Sequence, residues 1–330
     1  MKGIHMRHLL LPPGLAVLAC LYATTGQAHE DSFHCEAVTE SVAEAGFDDV
    51  VTVTCTDNQA LIAGDTYPDH EMMTGIIGTN EQVPVPAVNY ASPITLAPVS
   101  GTEPHTRDAA LGVAVNGVPI YDYTAGGEMS QADLATYQAN LDTVATGQLD
   151  ACGGHAGRGD DYHYHAAPTC MIDQMANKGP DAIIGWAFDG FPIYADTNPD
   201  GSVIAAGVLD VCNGQADDVF GYRYHTSEGA PYIIQCLMGE VPDIDALPRV
   251  RPLGAEEGGR GPEAGQPPRG GVDDLVFVQD DDGTRTMTYS YQGGDYYIKY
   301  APSETENCYN FETRTVTNGG ALFAQELCRE

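Results

Sequence analysis

The stretch GDDYHYHAAP, residues 159–168, alternates two histidines with two tyrosines. On a β-strand, side chains two positions apart point to the same face. We therefore expect His163 and His165 on one face, and Tyr162 and Tyr164 on the other. The alternation predicts a strand with two imidazoles close enough together to chelate one metal ion.

The same pattern returns later in the chain as GYRYHTSEG, residues 221–229. Other tracts recur around it in the same order, and the pairs are AVNGVPIYDY (114–123) with AFDGFPIYAD (187–196), LDACGG (149–154) with LDVCNG (209–214), and CM (170–171) with CLM (236–238). Repeated order of this kind predicts an internal duplication. We expect two related half-modules, residues 113–171 and 186–238.

The two halves differ at the histidines. His165 matches His225, so a role common to both halves, including a structural one, falls on these two residues. His163 matches Arg223, which restricts any site with several histidines to the first half. A pair of histidines on a strand can also be no more than a hydrogen-bonded structural pair.

A third ligand is expected from His155, in the glycine-rich tract CGGHAGRGDD, because the glycines allow this loop to fold back on the strand. Three imidazoles with an open coordination position suit Zn or Cu. Asp160 or Asp161 could orient one imidazole from outside the coordination sphere.

Eight of the nine cysteines remain when Cys20 in the N-terminal segment is set aside. An even number without CxxC spacing predicts disulfides, which are typical of exported proteins. If each half-module carries its own bridge and the others pair locally, the pairs are Cys152–Cys170, Cys212–Cys236, Cys35–Cys55 and Cys308–Cys328.

The N-terminus, residues 1–28, has the basic, apolar and small-residue regions of a secretory signal peptide, with cleavage expected after Ala28. Export would place the protein in the periplasm, at the cell surface or outside the cell. A lipoprotein-like alternative would anchor Cys20, but Leu18 fits that motif poorly. No other segment is apolar enough to predict an integral membrane span in the mature chain.

The net charge of −33 argues against nucleic acid and anionic membranes as partners. A small molecule remains the expected partner class.

The alternating apolar and polar residues and the frequent turn signals predict a mainly β fold of antiparallel, sandwich-like sheets with a few short helices. The two helices expected are 130–141 and 170–178. We expect one domain over 29–251, a Gly/Pro-rich linker over 252–271, and a β-rich extension over 272–330.

With these residues in view, the chain resembles the YHYH-domain family of exported proteins over about Tyr67 to Gly239. The resemblance rests on YPDH (67–70), VAVNGVPIY (113–121), GHAGRGDDYHYHAAP (154–168), IIGWAFDGFPIYA (183–195), LDVCNG (209–214) and YRYHTSEGAPYIIQCLMG (222–239). It implies that the motif histidines are His70, His155, His163, His165 and His225. The family is named for its motif, so the resemblance implies no particular activity.

The leading hypothesis is a metal-binding protein, or a metal-dependent enzyme, in which His155, His163 and His165 are ligands and His70 or His225 completes or flanks the site. Asp189, in the aromatic tract GWAFDGFPIY, is a candidate acid, base or outer carboxylate.

The alternative is a non-catalytic surface or matrix module. The acidic turn 196–202 could give it Ca binding, although Gly207 stands where a calcium loop needs glutamate. A metal-free hydrolase with His163 as base is a third hypothesis, for which no nucleophile stands out.

Overall fold

The computed structural model describes residues 27–254 and 267–329, with side chains from residue 34 onward. Within these ranges lie two helices, α1 (Gln27–Ala45) and α2 (Thr169–Gln174). The strands are β1 (Thr52–Cys55), β2 (Gln59–Ala63), β3 (Ala91–Thr95), β4 (Ser100–His105), β5 (Gly112–Ala114), β6 (Pro119–Ile120), β7 (Gly154–Ala156), β8 (Tyr162–Tyr164), β9 (Gly185–Ala187), β10 (Pro192–Tyr194), β11 (Gly214–Asp217), β12 (Gly221–His225), β13 (Leu237–Gly239), β14 (Asp273–Gln279), β15 (Arg285–Tyr291), β16 (Gly294–Pro302), β17 (Cys308–Arg314) and β18 (Leu322–Cys328). The predicted mainly β fold is confirmed.

The largest sheet has the strand order β11-β12-β10-β9-β5-β6-β8-β7. Antiparallel pairs predominate, but β6 pairs with β8 in parallel, and so does β10 with β12. At the centre, β5 and β9 pair with Gly112 opposite Ala187 and Ala114 opposite Gly185. A Cβ on Gly112 would lie 2.6 Å from the carbonyl oxygen of Trp186, and one on Gly185 would lie 2.7 Å from that of Val113. The two glycines therefore permit the close approach at the sheet centre.

The C-terminal segment forms a five-stranded antiparallel sheet, β14 to β18 in chain order. Its first two turns contain Gly283 and Gly293, each with a φ of +79° that a side chain would disfavour. The sheet is a meander, because each strand pairs with the next one along the chain. The sheet packs on the rest of the chain through backbone contacts such as Gly75 N–H to the Leu275 carbonyl, at 2.9 Å, and its buried side chains belong to the same hydrophobic core.

The longest helix, α1, was not expected from the sequence. Val38, Val42 and Ala45 are buried at positions i, i+4 and i+7, so one apolar stripe faces the core. Ser41 lies on the same side and accepts a hydrogen bond of 2.9 Å from the indole N–H of Trp186 on β9. Trp186 is thus a core residue that ties α1 to the large sheet.

Four disulfides are present, and they join the pairs that the sequence predicts. In the chain-entropy model each closes a loop that stabilises the fold by roughly 3 kcal/mol. The bridges are Cys35–Cys55, Cys152–Cys170, Cys212–Cys236 and Cys308–Cys328.

The helix predicted over 130–141 is wrong. The segment forms successive turns, in which Ser130 Oγ donates to Asp133 Oδ2 rather than capping a helix. Its far end pairs with a neighbouring segment instead, because Ala125 N–H donates to the Leu141 carbonyl at 2.6 Å. The helix predicted over 170–178 exists as α2 but is shorter.

Some expectations fall on residues outside the described ranges. These are the signal peptide apart from its last two residues, the lipid anchor at Cys20, and most of the linker. The domain boundaries stay a prediction. Within the described residues, no helix is both long and apolar enough to cross a membrane.

We predict that Ser41→Ala lowers the free energy of unfolding by about 1–3 kcal/mol, because the buried indole N–H of Trp186 loses its acceptor. Urea unfolding followed by the fluorescence of Trp186, the only tryptophan, measures this. Thr39→Ala on the exposed side of the same helix is the matched control, expected to change stability by less than about 0.5 kcal/mol. Equal losses in both variants would contradict the account.

Candidate metal centre

The pairing of β7 with β8 builds the cluster of histidines. His155 and His163 are direct partners in this antiparallel pair, and His165 follows β8 on the same face as His163. The ring centroids are 5.0 Å apart for His155 and His163, 4.9 Å for His155 and His165, and 4.8 Å for His163 and His165. One nitrogen from each ring lies within 4.8 Å of the other two. We call these three residues the histidine cluster.

The histidine cluster is buried. His155 is 8 % exposed, His163 is 4 % exposed and His165 is 3 % exposed. Burial lowers the pKa of His155 well below its usual value, and the neighbouring imidazoles lower it further. Burial also lowers the pKa of His165 to about 3, with His163 as the next cause. Both rings are therefore neutral near pH 7 and carry the lone pair that a metal ligand needs.

The backbone fixes the ring of His165. Its Nδ1–H donates to the carbonyl oxygen of Asp122, at the end of the tract that contains β6. Because that carbonyl can only accept, the neutral ring carries its proton on Nδ1, and Nε2 is left with its lone pair. This Nε2 lies 3.2 Å from Nε2 of His155. His155 also has a backbone hydrogen-bond partner at Gln148.

His163 lies between an aromatic ring and a carboxylate. Its ring stacks on Tyr121, with centroids 4.1 Å apart. Its Nδ1 lies 3.4 Å from Oδ2 of Asp161, which is 1 % exposed. Neither of these two atoms has a hydrogen-bond partner among the described residues. A buried carboxylate oxygen without a hydrogen-bond partner is costly. The buried guanidinium of Arg329 interacts electrostatically with Asp161 but donates to backbone carbonyls and not to this oxygen.

A missing side chain makes room for His163. A Cβ on Gly157 would overlap Cε1 of the His163 ring and lie 3.2 Å from its Nε2. Gly157 follows β7, so the backbone of the first strand closes over the imidazole of the second. This is the physical reason for a glycine at this place in the tract GHAG.

The tyrosines of β8 point away from the histidine cluster and hold the strand in place. Tyr162 donates to the carboxylate of Asp150 at 2.8 Å. The hydroxyl of Tyr164 accepts from Asn116 Nδ2 at 3.1 Å and contacts His70 Nε2 at 2.8 Å. The expected alternation is therefore what the structure shows.

The structure does not bring His70 to the histidine cluster. Besides Tyr164, the His70 ring contacts the carbonyl of Glu71 at 2.8 Å, so both of its nitrogens are engaged. His70 also lies near Cys152 and Cys170, but these two sulfurs form a disulfide and are not thiolate ligands. His70 belongs to the tyrosine side of β8.

The structure does not bring His225 to the histidine cluster either. Its Nδ1 contacts the Ala195 carbonyl at 2.9 Å, and its Nε2 contacts the Gln215 amide at 3.0 Å. Gln215 pairs with Arg223 across β11 and β12. Arg223 reaches Asp217 Oδ2 at 2.8 Å. The guanidinium of Arg223 thus stands at the motif position that His163 occupies in YHYH.

The acidic turn 196–202 is tied to the same guanidinium. Asn198 Oδ1 accepts from Arg223 at 2.7 Å and from Gln215 at 2.8 Å. Its amide oxygen is therefore engaged by a cation of the protein itself.

Asp189 is fully buried and holds another tyrosine. It accepts from the hydroxyl of Tyr224 at 2.5 Å and from the backbone N–H of Gly239 at 2.8 Å. Burial raises the pKa of Asp189, and these hydrogen bonds act against that shift. Its position in the repeat is that of Asn116, which donates to Tyr164.

Sequence reasoning missed three contributors to the site. Tyr121 stacks on His163, the Asp122 carbonyl fixes His165, and Gly157 makes room for His163. The tract PIY before the motif could have pointed to Tyr121, since it recurs in the second half. No local pattern identifies a backbone carbonyl as a partner.

The fold and the site define a class: a mainly β, disulfide-bridged protein with a buried cluster of three imidazoles. Residues 91–203, about a third of the chain, match the family model described as YHYH protein. The resemblance seen in the sequence is thus confirmed. The histidine cluster lies inside the matched segment, and His70 and His225 lie outside it. Comparison with curated proteins found no match, and comparison with solved structures found none.

We predict that Gly157→Ala lowers the free energy of unfolding by about 1–3 kcal/mol, because the new methyl group displaces the His163 ring from a packed site. Urea unfolding measures the effect. Gly229→Ala is the matched control, since a Cβ there meets no heavy atom within 4 Å. If both variants had the stability of the unaltered protein, the close approach of the Gly157 backbone to the His163 ring would be refuted.

Proposed function

We propose that this chain is an exported metal-binding protein in which His155, His163 and His165 hold one Zn or Cu ion. The observation that carries the proposal is the convergence of three buried imidazoles beside a buried carboxylate oxygen that has no hydrogen-bond partner among the described residues. Imidazole nitrogen is a preferred ligand of both metals.

The spacing of the first two rings supports this proposal. Zn–N bonds of about 2.0–2.1 Å in tetrahedral geometry place two ligand nitrogens about 3.3 Å apart. The Nε2 atoms of His155 and His165 are 3.2 Å apart. An ion between them would take the place of this direct contact between the two nitrogens. The third nitrogen lies within 4.8 Å of the other two, which exceeds the tetrahedral separation by at most about 1.5 Å.

The surrounding groups support it as well. A carbonyl that accepts from Nδ1 of a histidine is the usual outer contact of a metal ligand, and the Asp122 carbonyl serves His165 in this way. Asp161 stands in the same relation to His163, at 3.4 Å. A dication in the cluster would also offset the negative charge of this buried carboxylate.

The second half supports the proposal by contrast. We infer that the two halves are copies of one module, because β7 and β8 occupy one end of the large sheet and β11 and β12 the other. Gln215, Arg223 and His225 take the places of the three histidines. Arg223 brings a permanent positive charge and its own carboxylate partner, Asp217. This half needs no ion.

The same geometry extends the proposal to metal-dependent catalysis on a small molecule. Three protein ligands leave a tetrahedral ion one position for water or substrate. A bound ion would supply Lewis-acid chemistry there. Asp161 would then be the chain's own proton acceptor next to the site, and Tyr121 a wall beside it. Asp189 we assign a structural role, since its oxygens already hold Tyr224 and Gly239.

Export is proposed from the four disulfides, which persist in oxidising compartments, together with the signal-like residues 1–28. The domain division into 29–251, a linker over 252–271 and an extension over 272–330 is likewise a proposal.

Metal loading followed by elemental analysis tests the central proposal. We expect one equivalent of Zn or Cu in the unaltered protein. His163→Ala should weaken binding by more than about 100-fold, the upper range for loss of an outer contact alone. His225→Ala is the matched control, because it removes the histidine at the equivalent motif position, and it should bind as the unaltered protein does. Metal content that is sub-stoichiometric, or unchanged in His163→Ala, would refute the site.

The inferred duplication yields a gain-of-function prediction. Gln215→His and Arg223→His would rebuild the two missing imidazoles, and Asp217→Gly would remove the Cβ that occupies the place of Gly157. The triple variant should bind a second equivalent of metal. The double variant that keeps Asp217 is the control and should remain at one equivalent, because the imidazole introduced by Arg223→His would meet that side chain. A folded triple variant that still binds one equivalent would contradict the equivalence of the halves.

A further inference from the structure

A cavity of about 240 Å³ lies between two loops and the C-terminal end of the described chain. One wall is residues 88–90, another is 248–251, and Arg329 closes it. Three of its lining residues are arginines, namely Arg249, Arg251 and Arg329. We call this space the arginine cavity.

Such a concentration of positive charge is unusual in this protein, which has 14 lysines and arginines against 47 acidic residues. A fourth arginine, Arg107, lies directly behind the wall and donates to the carbonyl of Pro248 at 3.3 Å. Among the described residues, none of the four arginines forms an ion pair with a carboxylate. The buried carboxylates of Asp160 and Asp161 balance part of the charge of Arg329, so the charge left for a ligand comes mainly from Arg249 and Arg251.

Two of the arginines build the walls. Arg329 is buried, and its guanidinium donates to five carbonyl oxygens, which include those of Gly159 and Asp160. Arg107 is buried as well, and its Nε has no partner among the described residues. Burial lowers the pKa of Arg107, and the nearby charge of Arg249 lowers it further. A buried guanidinium that forms no ion pair with a carboxylate costs free energy, and a bound anion would reduce that cost.

The other two arginines are available to a ligand. Arg249 and Arg251 are exposed and stand two residues apart on one loop. Arg249 uses Nη1 on the carbonyl of Asp108, which leaves its other N–H groups. Tyr90 also lines the cavity, and burial raises the pKa of its hydroxyl to about 12.

The arginine cavity and the histidine cluster share a wall. A Cβ on Gly159 would lie 3.1 Å from the carbonyl oxygen of Val250, a cavity residue, and would also overlap Oδ1 of Asp161. Asp161 in turn contacts His163 at 3.4 Å. One short turn, residues 159–161, therefore separates the cavity from the imidazoles.

We propose that the arginine cavity binds a tetrahedral oxyanion, and that this oxyanion is part of the small molecule on which the histidine cluster acts. The first statement stands on the cavity alone, and the second rests on the proposed function. Arginine suits this ligand because its planar fork of N–H groups matches two oxygens of a phosphate or sulfate.

Titration calorimetry with inorganic sulfate and metal-free protein tests the anion site. We expect saturable binding to one site, weakened at least tenfold in Arg249→Ala/Arg251→Ala. Arg314→Ala, which removes an arginine from β17, is the control for general charge effects and should bind as the unaltered protein does. Tyr90→Phe should weaken binding to a smaller extent. Absence of saturable binding, or equal binding in the double variant, overturns the anion site.

The link to the histidine cluster has its own readout. Sulfate should tighten Zn binding several-fold in the unaltered protein and leave it unchanged in the double arginine variant, because coupling between two sites is reciprocal. Equal Zn affinity with and without sulfate overturns the link. Sulfate binding without any Zn binding would refute the proposed function and leave the anion site standing. Zn binding without sulfate binding would refute the anion site and leave the proposed function standing.

Discussion

The close pairing of β7 with β8 is the constraint on which the rest of the site depends. It needs a backbone without a Cβ at Gly154, where one would lie 2.6 Å from the Tyr162 ring, and at Gly157, where one would overlap His163. Once the two strands pair, successive side chains of β8 point to opposite faces of the sheet. The tyrosines turn inward to hydrogen bonds with Asp150 and Asn116, and the imidazoles turn to the opposite face. One pairing thus supplies the architecture and the chemistry of the motif.

The segment that we infer to be the second copy, residues 186–238, has matching hydrogen bonds around its tyrosines but different residues at two of the three histidine positions. Tyr222 donates to Asp210 at 2.8 Å, as Tyr162 does to Asp150. The Nδ1 contact of His225 with a backbone carbonyl repeats that of His165. Where the first half places His163 beside the unpartnered oxygen of Asp161, the second places Arg223 in an ion pair with Asp217. Of these two carboxylates, only that of Asp161 has an oxygen without a hydrogen-bond partner among the described residues.

Much of this could be predicted from local patterns. Alternation placed His163 with His165, glycine content pointed to His155, and the repeat order gave the disulfide pairs. Local patterns did not predict the conformation of segments that depends on tertiary contacts. The pattern over 130–141 suited a helix, but the segment forms successive turns, and its last residue, Leu141, pairs with Ala125 of a neighbouring segment. Helix α1 was missed because its apolar stripe is short. The resemblance implied that His70 is a motif histidine, but only the fold could show that it lies against Tyr164.

X-ray absorption spectroscopy at the metal edge, on protein loaded with one equivalent of Zn or Cu, tests the central claim most directly. The account predicts a first coordination shell with the multiple-scattering pattern of three imidazoles, at about 2.0–2.1 Å for Zn. A shell made of oxygen ligands alone would contradict it. Such a shell would place the ion on the acidic surface rather than among His155, His163 and His165.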